Sequence, residues 1–275
     1  MSAPEDCTVL GLLRVALTAA FLAAGAPGAR AAEPIPGAPA LAGAEAKVGG
    51  TLTATPARSG GPLALDLDIV MTPAGGGEPI RRYEPELSKE MHVIAVDEAL
   101  TSFVHEHVGH VPKDGHARLT LTFPKAGWWH VYADATPAGL GQQVLRFDLP
   151  VGEAPLERRP PALAASGTSA KTGPYTLSFN TLDLKLGEVA MLKLRVLKDG
   201  EPARDLRPYL GVPAHLVMIG ADDLAYVHAH PMGGTDSPAE LTIHVAPPRA
   251  EAYALWIQFR GGGKLYTVPF VAEAR

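Results

Sequence analysis

The chain has 275 residues, with 24 Lys and Arg against 29 Asp and Glu and a formal net charge of -5. Its hydrophobic fraction of 47% excludes a largely disordered chain, and the acidic balance gives no electrostatic basis for binding nucleic acid. The 29 glycines and 26 prolines favour strands and turns over long helices. A single cysteine excludes an internal disulfide, a haem attachment motif and a cysteine-only zinc or iron–sulfur site.

The first segment of the chain has the features of a secretory signal peptide. An apolar run over residues 15–26 follows Arg14 and leads to a small-residue cleavage pattern at Ala29, Arg30 and Ala31. We predict a signal peptide over residues 1–31, a periplasmic or extracellular mature chain, and no transmembrane segment in it. The alternative is an uncleaved anchor, although the run is shorter than the roughly 20 residues that a spanning helix needs.

The rest of the chain contains an internal repeat. Residues 77–107 align without a gap on residues 200–230 at a constant offset of 123, and a stretch rich in Pro, Ala, Ser and charge separates the two copies. We therefore predict a duplicated domain. The predicted organisation is a flexible N-terminus over 32–46, a first domain over 47–152, a linker over 153–173 and a second domain over 174–275.

Both copies have the residue pattern of β-strands. Apolar residues alternate with polar ones in each copy, and short apolar runs are separated by turn residues such as Asp199 and Gly200. The alternating positions are Leu63, Leu65, Leu67 and Ile69 in the first copy and Leu192, Leu194 and Val196 in the second. We predict an all-β protein with two tandem antiparallel β-sandwiches of immunoglobulin-like or cupredoxin-like type. The strongest helix signal, over residues 85–91, predicts one or two turns.

Three histidines recur at equivalent repeat positions with the spacing H-x12-H-x-H. Residues two apart on a strand face the same side, so the last two histidines of each copy form a pair on one face. The first histidine joins them if the hairpin loop has an even number of residues. It lies opposite His105 if the loop spans 98–99, and opposite His107 if the loop spans 98–101. We predict one three-histidine metal cluster per domain, with ligands His92, His105, His107, His215, His228 and His230.

Imidazole ligands suit Zn(II), Cu(II) and Ni(II), and nearby Met91, Met218 and Met232 favour copper, with zinc as the alternative. Without a cysteine in the mature chain, a blue-copper centre is excluded. Asp97 and Asp222, near the hairpin turns, are candidates for orienting an imidazole, although turn propensity explains them equally well. The unrepeated histidines are predicted to be structural or on the surface. They are His110, His116, His130 and His244.

Two other classes of function compete with metal carriage. Strand histidines commonly serve structural roles, so the alternative is a non-metal structural or interaction module of the cell envelope. The third possibility is a zinc-dependent hydrolase, since three histidines with an open position could activate water. No convincing general base accompanies the histidines, and Gly109 stands where the metallo-β-lactamase motif has aspartate. We therefore predict that the protein is not an enzyme.

The second copy carries an HLV strand at His215, then DLAYVHAHP ending at Pro231, then LWIQF from Leu255. This pattern resembles a group of secreted bacterial proteins that are largely uncharacterised. They are similar in layout to the periplasmic CopC-like and YtkA-like copper-binding proteins. The first copy departs from the pattern, with Val108 in place of proline. The resemblance implies a β-sandwich that acts as a copper carrier, buffer or resistance factor. Its expected partners are the metal ion and another envelope metal-handling protein.

Overall fold

The computed structural model describes residues 32–159, 161–229, 231–232 and 239–275, so the predicted signal peptide and His230 lie outside the described residues. All regular structure within these ranges is β, which confirms the predicted fold class. Residues Ala32–Arg275 form one compact unit that contains both halves of the repeat. None of the described segments forms a helix with the length and apolar character needed to cross a membrane.

The first domain is a sandwich of two sheets. Its strands are β1 (Ile35–Pro36), β2 (Ala38–Pro39), β3 (Val48–Pro56), β4 (Ala64–Pro73), β5 (Tyr83–Glu84), β6 (Met91–Asp97), β7 (Phe103–Val108), β8 (His116–Thr122), β9 (Gly127–Pro137) and β10 (Gln143–Val151). One sheet has the order β1-β3-β4-β8, and the other has the order β2-β10-β9-β6-β7 with β5 beside β9. Alternating apolar residues such as Leu52, Ile69 and Phe147 fill the core between them.

The second domain repeats this arrangement. Its strands are β11 (Ser169–Thr172), β12 (Tyr175–Phe179), β13 (Asp183–Leu184), β14 (Ala190–Lys198), β15 (Glu201–Pro202), β16 (Leu206–Arg207), β17 (Ala214–Gly220), β18 (Tyr226–Ala229), β19 (Pro231–Met232), β20 (Glu240–Val245), β21 (Ala252–Gly261) and β22 (Lys264–Ala274). One sheet has the order β11-β12-β14-β20-β19 with β15 beside β14, and the other has the order β13-β22-β21-β17-β18 with β16 beside β21. Strands β6, β7 and β9 thus correspond to β17, β18 and β21.

Two segments that were expected to be irregular contain short strands. Strands β1 and β2, inside the predicted flexible N-terminus, pair with the edges of β3 and β10. Strand β11 begins at Ser169, inside the predicted linker, and pairs with β12. An edge strand bonds to a neighbour on one side only, so proline, which has no N–H group to donate, is tolerated there. Proline content therefore predicted irregular structure in a segment that pairs with sheet edges.

The predicted helix over residues 85–91 is wrong. Leu87 and Ser88 both have positive φ angles, 49° and 71°, and form a tight turn. The backbone groups of Glu86 and Lys89 exchange two hydrogen bonds across it. The second domain has the same turn, with Leu210 and Gly211 at the equivalent positions. Such a turn demands left-handed backbone at both central residues, a conformation that residue type did not reveal here.

The hairpin between β6 and β7 has the even loop on which the predicted cluster depends. His92 pairs with His107 and Ile94 pairs with His105, so the loop spans residues 98–101 and all three imidazoles share a face. In the second domain Val217 pairs with His228, and these positions are equivalent to Ile94 and His105, so the two hairpins have the same register. The four-residue alternative is therefore confirmed in the first hairpin.

Strands β6 and β17 are buried along both faces. One face of each strand packs into the core of its own domain. The other face joins an apolar cluster that contains residues of both domains, including Ile94, Tyr132, Val217 and Trp256. The two histidine-bearing sheets therefore pack face to face, and the histidines lie at the contact between the domains.

Candidate metal centre

Five histidines converge at the contact between the two domains. They are His92, His105, His107, His215 and His228, with ring centroids of neighbouring pairs 4.3 to 6.3 Å apart. Five of the six predicted ligands thus lie side by side at one domain contact, and we call this group the shared cluster. The reason is that each predicted cluster lies on the outer face of its sheet, and that face is covered by the other domain. The sixth predicted ligand, His230, lies outside the described residues.

His92, His105 and His107, which we call the histidine trio, form the best metal-binding geometry. One ring nitrogen from each lies within 4.8 Å of the other two. The Nδ1 atom of His92 is 3.4 Å from the Nε2 atom of His105. Two imidazole nitrogens on one tetrahedral zinc ion are separated by about 3.3 Å, given bonds of about 2.0–2.1 Å. The nitrogens of His92 and His105 are therefore already at about the separation that a shared ion requires, and a nitrogen of His107 lies within 4.8 Å of both.

The hydrogen bonds of His92 and His105 direct their lone pairs into the trio. The Nε2–H group of His92 faces the Glu86 carbonyl oxygen at 3.4 Å. The Nδ1–H group of His105 donates to Gln258 Oε1 at 2.7 Å, and the Gln258 amide donates to Thr267. In neutral rings these bonds leave the two facing nitrogens, 3.4 Å apart, without protons. Metal-binding histidines characteristically donate their other ring N–H in this way.

Burial keeps these imidazoles neutral. Together with a smaller effect of the neighbouring histidines, it lowers the pKa of His92 and His215 to about 4 and that of His107 to about 3. The pKa of His105 lies well below its ordinary value for the same reasons. The Nε2 atom of His107 is buried and has no hydrogen-bond partner among the described residues. The trio is therefore in the protonation state that a metal ion requires.

Equivalent contacts in the two domains orient the remaining histidines. His215 Nε2 donates to the Tyr209 carbonyl oxygen at 3.0 Å, as His92 does to that of Glu86. Asp134 and Gln258 occupy the same register position, opposite His92 and His215. Each of them contacts a histidine of the other domain. Asp134 Oδ2 lies 3.0 Å from the Nδ1 atom of His228, and Gln258 Oε1 accepts a hydrogen bond from His105. The cluster is thus tied together by hydrogen bonds that cross the domain contact.

Asp134 is the central carboxylate of the cluster and is only 1% exposed. It accepts hydrogen bonds from His228, Tyr226 and Gln142 at 2.9–3.0 Å. Burial raises its pKa, but the hydrogen bond and charge of His228, the hydrogen bond of Gln142 and the charge of His92 together outweigh burial and hold the pKa below the usual range. The pKa of Glu86 is raised by burial and by the charge of Asp134.

The carboxylates proposed from sequence lie elsewhere. Asp97 accepts hydrogen bonds from Thr101 and Ser102 and pairs with Lys125 at 2.7 Å, so it stabilises the hairpin loop and does not orient a histidine. Asp222 is exposed in the equivalent loop. The carboxylates that lie beside the histidines are instead Glu86 and Asp134, which the sequence analysis did not single out. A polar residue inside the apolar run of β9 was the available signal for Asp134.

Two of the three methionines that favoured copper in the sequence lie away from the histidines, and the side chain of the third, Met232, lies outside the described residues. Met91 and Met218 are fully buried in the cores of their own domains, on the face opposite the histidines. They alternate with His92 and Val217, which places them on the other side of the strand. Among the other histidines, His110, His116 and His130 each contact a carboxylate outside the cluster, and His244 is exposed on β20.

A family model described as a domain of unknown function (DUF8832) matches the chain twice, over residues 46–152 and 169–275. Similar solved structures include invasin, described as a bacterial integrin-binding protein, at 15% identity and a TM-score of 0.23, covering 81% of this chain and 40% of invasin. A titin structure, A168169, matches at 13% identity and a TM-score of 0.21, covering 78% of this chain and 91% of that one. The chain thus spans less than half of the invasin structure. The comparison with curated proteins found no significant match.

Proposed function

The chain belongs to the DUF8832 family as a tandem pair of its domains, and we propose that it binds a transition metal ion through the histidine trio. The proposed ion is copper, with zinc as the alternative. The protein would act as an exported carrier, buffer or resistance factor in the periplasm or outside the cell, and not as an enzyme. It would exchange the ion with another metal-handling protein of the envelope.

One observation carries this proposal. The unprotonated nitrogens of His92 and His105 face each other at 3.4 Å, and both rings donate their only N–H group away from the trio. Two lone pairs at this distance repel each other unless a proton or a cation lies between them. Because burial opposes protonation of both rings, a metal ion is the better match for the space between them.

Among the described side chains, the imidazoles are the basis for choosing copper. A site of three neutral nitrogen ligands suits Cu(II) and Zn(II), and at such sites Cu(II) generally binds more tightly than Zn(II). The buried methionines Met91 and Met218 contribute nothing to this preference. Metal availability would then decide which ion the protein holds in the cell.

The expected result of a Cu(II) or Zn(II) titration is tight binding that depends on His107. We expect His107→Ala to weaken binding at the trio at least about 100-fold, since loss of an orienting partner alone costs 10–100-fold and His107 supplies a ligand. Isothermal titration calorimetry of the chain lacking residues 1–31 would measure this. The matched control is His110→Ala, whose side chain is 74% exposed and pairs with Glu90 outside the cluster. Binding unchanged in His107→Ala would contradict the proposed site.

The alternative function is a structural module. It is favoured by the bonds of His105 to Gln258 and of His228 to Asp134, because both join the two domains without any ion. This alternative predicts that the metal-free protein binds neither Cu(II) nor Zn(II) at the cluster. The same titration therefore separates the two functions.

A further inference from the structure

A second group of possible metal ligands lies beside the histidine trio and includes residues from both domains. Glu86 and Asp134 come from the first domain, and His228 comes from the second. One ligand atom from each lies within 4.8 Å of the other two. The imidazole rings of His92 and His228 are 5.4 Å apart, so this group, which we call the bridging group, adjoins the trio.

Among the described residues, no Lys or Arg side chain contacts Asp134, the deeper carboxylate of the bridging group. Asp134 is 1% exposed, and its hydrogen-bond donors are the neutral Gln142 and Tyr226 and the titratable His228. Buried carboxylates in proteins are paired or coordinate metal ions, and an ion held by this group would lie close to both acids.

The geometry around Asp134 suits this role. Asp134 Oδ2 and His228 Nδ1 are 3.0 Å apart, slightly less than the about 3.3 Å between two ligand atoms on a tetrahedral zinc ion. Gln142 and Tyr226 hold the carboxylate in position, as hydrogen bonds to ligating carboxylates commonly do. On binding, the ion would take the place of the proton on His228 Nδ1: a neutral ring would bind it as the Nε2–H tautomer, and a doubly protonated ring would release its Nδ1 proton to solvent.

We propose that Glu86, Asp134 and His228 bind a second divalent ion that bridges the two domains. The site goes beyond the proposed function, because the trio belongs wholly to the first domain whereas this ion would link one domain to the other. Two carboxylate oxygens and one imidazole nitrogen suit Zn(II) or another divalent ion that accepts oxygen ligands, and they favour copper less than the trio does.

The test is the stoichiometry of Zn(II) in the chain lacking residues 1–31, measured by elemental analysis after gel filtration. We expect two equivalents in the wild type, one in Glu86→Gln and one in His107→Ala. Glu86→Gln keeps the size of the side chain and the backbone carbonyl that faces His92, and circular dichroism would confirm folding. Glu90→Gln is the matched control, because Glu90 pairs with His110 outside the cluster and its loss should leave two equivalents.

The outcomes distinguish the two proposals. Two equivalents in both the wild type and Glu86→Gln would overturn the bridging site. One equivalent in the wild type that is lost in His107→Ala and retained in Glu86→Gln would overturn the bridging site and keep the proposed function. One equivalent in the wild type that is lost in Glu86→Gln and retained in His107→Ala would support the bridging site and contradict the trio. A bridging ion should also raise the melting temperature as the second equivalent binds, and should not do so in Glu86→Gln.

Discussion

Between pH 7 and pH 5 the metal-free protein is expected to lose several kcal/mol of unfolding free energy. His92 and His215 are each 1% exposed, and burial lowers their pKa to about 4. In the unfolded chain the same rings titrate near 6.5, so below that pH the unfolded state binds protons that the folded state does not. At pH 5 the penalty is about 2 kcal/mol for each ring, and it grows until the pH reaches the folded pKa values.

The charges around these rings do not reverse the direction of this effect. Asp134 raises the pKa of His92, but burial, His228 and Lys89 lower it by more. The expected loss is large against the 5–15 kcal/mol by which proteins are typically stable. Acid should therefore weaken the contact between the domains first, because the titrating rings lie there.

Urea denaturation in the presence of a chelator at pH 7, 6 and 5 would measure this loss. The variant His215→Gln should show a smaller dependence of stability on pH than the wild type, because it lacks one buried ring. The variant His110→Gln should leave the dependence unchanged, since that side chain is 74% exposed. A stability that stays flat from pH 7 to pH 5 would show that the histidines are not buried as neutral rings.

Trp256→Ala is expected to cost about 3–5 kcal/mol of unfolding free energy, the range for removing a buried tryptophan. Trp256 is 2% exposed and stacks on Phe103 of the other domain with ring centroids 5.0 Å apart. It lies on β21 two residues before Gln258, which holds His105. The variant should therefore also bind metal more weakly, because the Gln258 side chain that orients the His105 ring loses its support.

The matched control is Trp128→Ala. Trp128 is partly exposed, donates to the Pro155 carbonyl oxygen and contacts Arg158, all outside the domain contact. We expect a smaller loss of stability and unchanged metal affinity. Equilibrium denaturation combined with a Zn(II) titration would compare the two variants. Equal metal affinity in Trp256→Ala and the wild type would mean that the trio does not depend on the second domain.

Much of the fold was predictable because local patterns carry it. The alternation around Leu67 and Ile69 and the repeat offset were enough for a tandem β-sandwich. The length of the hairpin loop remained open in the sequence, because loops of two and of four residues both place the histidines on one face. Only the pairing of His92 with His107 resolved it. The tight turn at Leu87 escaped prediction because neither Leu nor Ser marks a left-handed backbone.

The shared cluster could not be predicted from the histidine spacing. The repeat places the same three histidines in each copy, and this equally suits two separate sites. The available signal was the unbroken apolar character of β6 and β17, since strands buried on both faces lack alternation. Asp134 and Gln258 were missed because their partners, His228 and His105, lie in the other domain. Contacts between distant segments leave no trace in local spacing.

The most direct test of the shared cluster is anomalous diffraction at the zinc edge from crystals grown with Zn(II). The expected result is a peak bonded to His92 Nδ1, His105 Nε2 and a ring nitrogen of His107, with the side chains of His215 and His228 close by in the same domain contact. Peaks confined to exposed histidines such as His110 and His244, with none inside the cluster, would contradict a metal centre between the two domains.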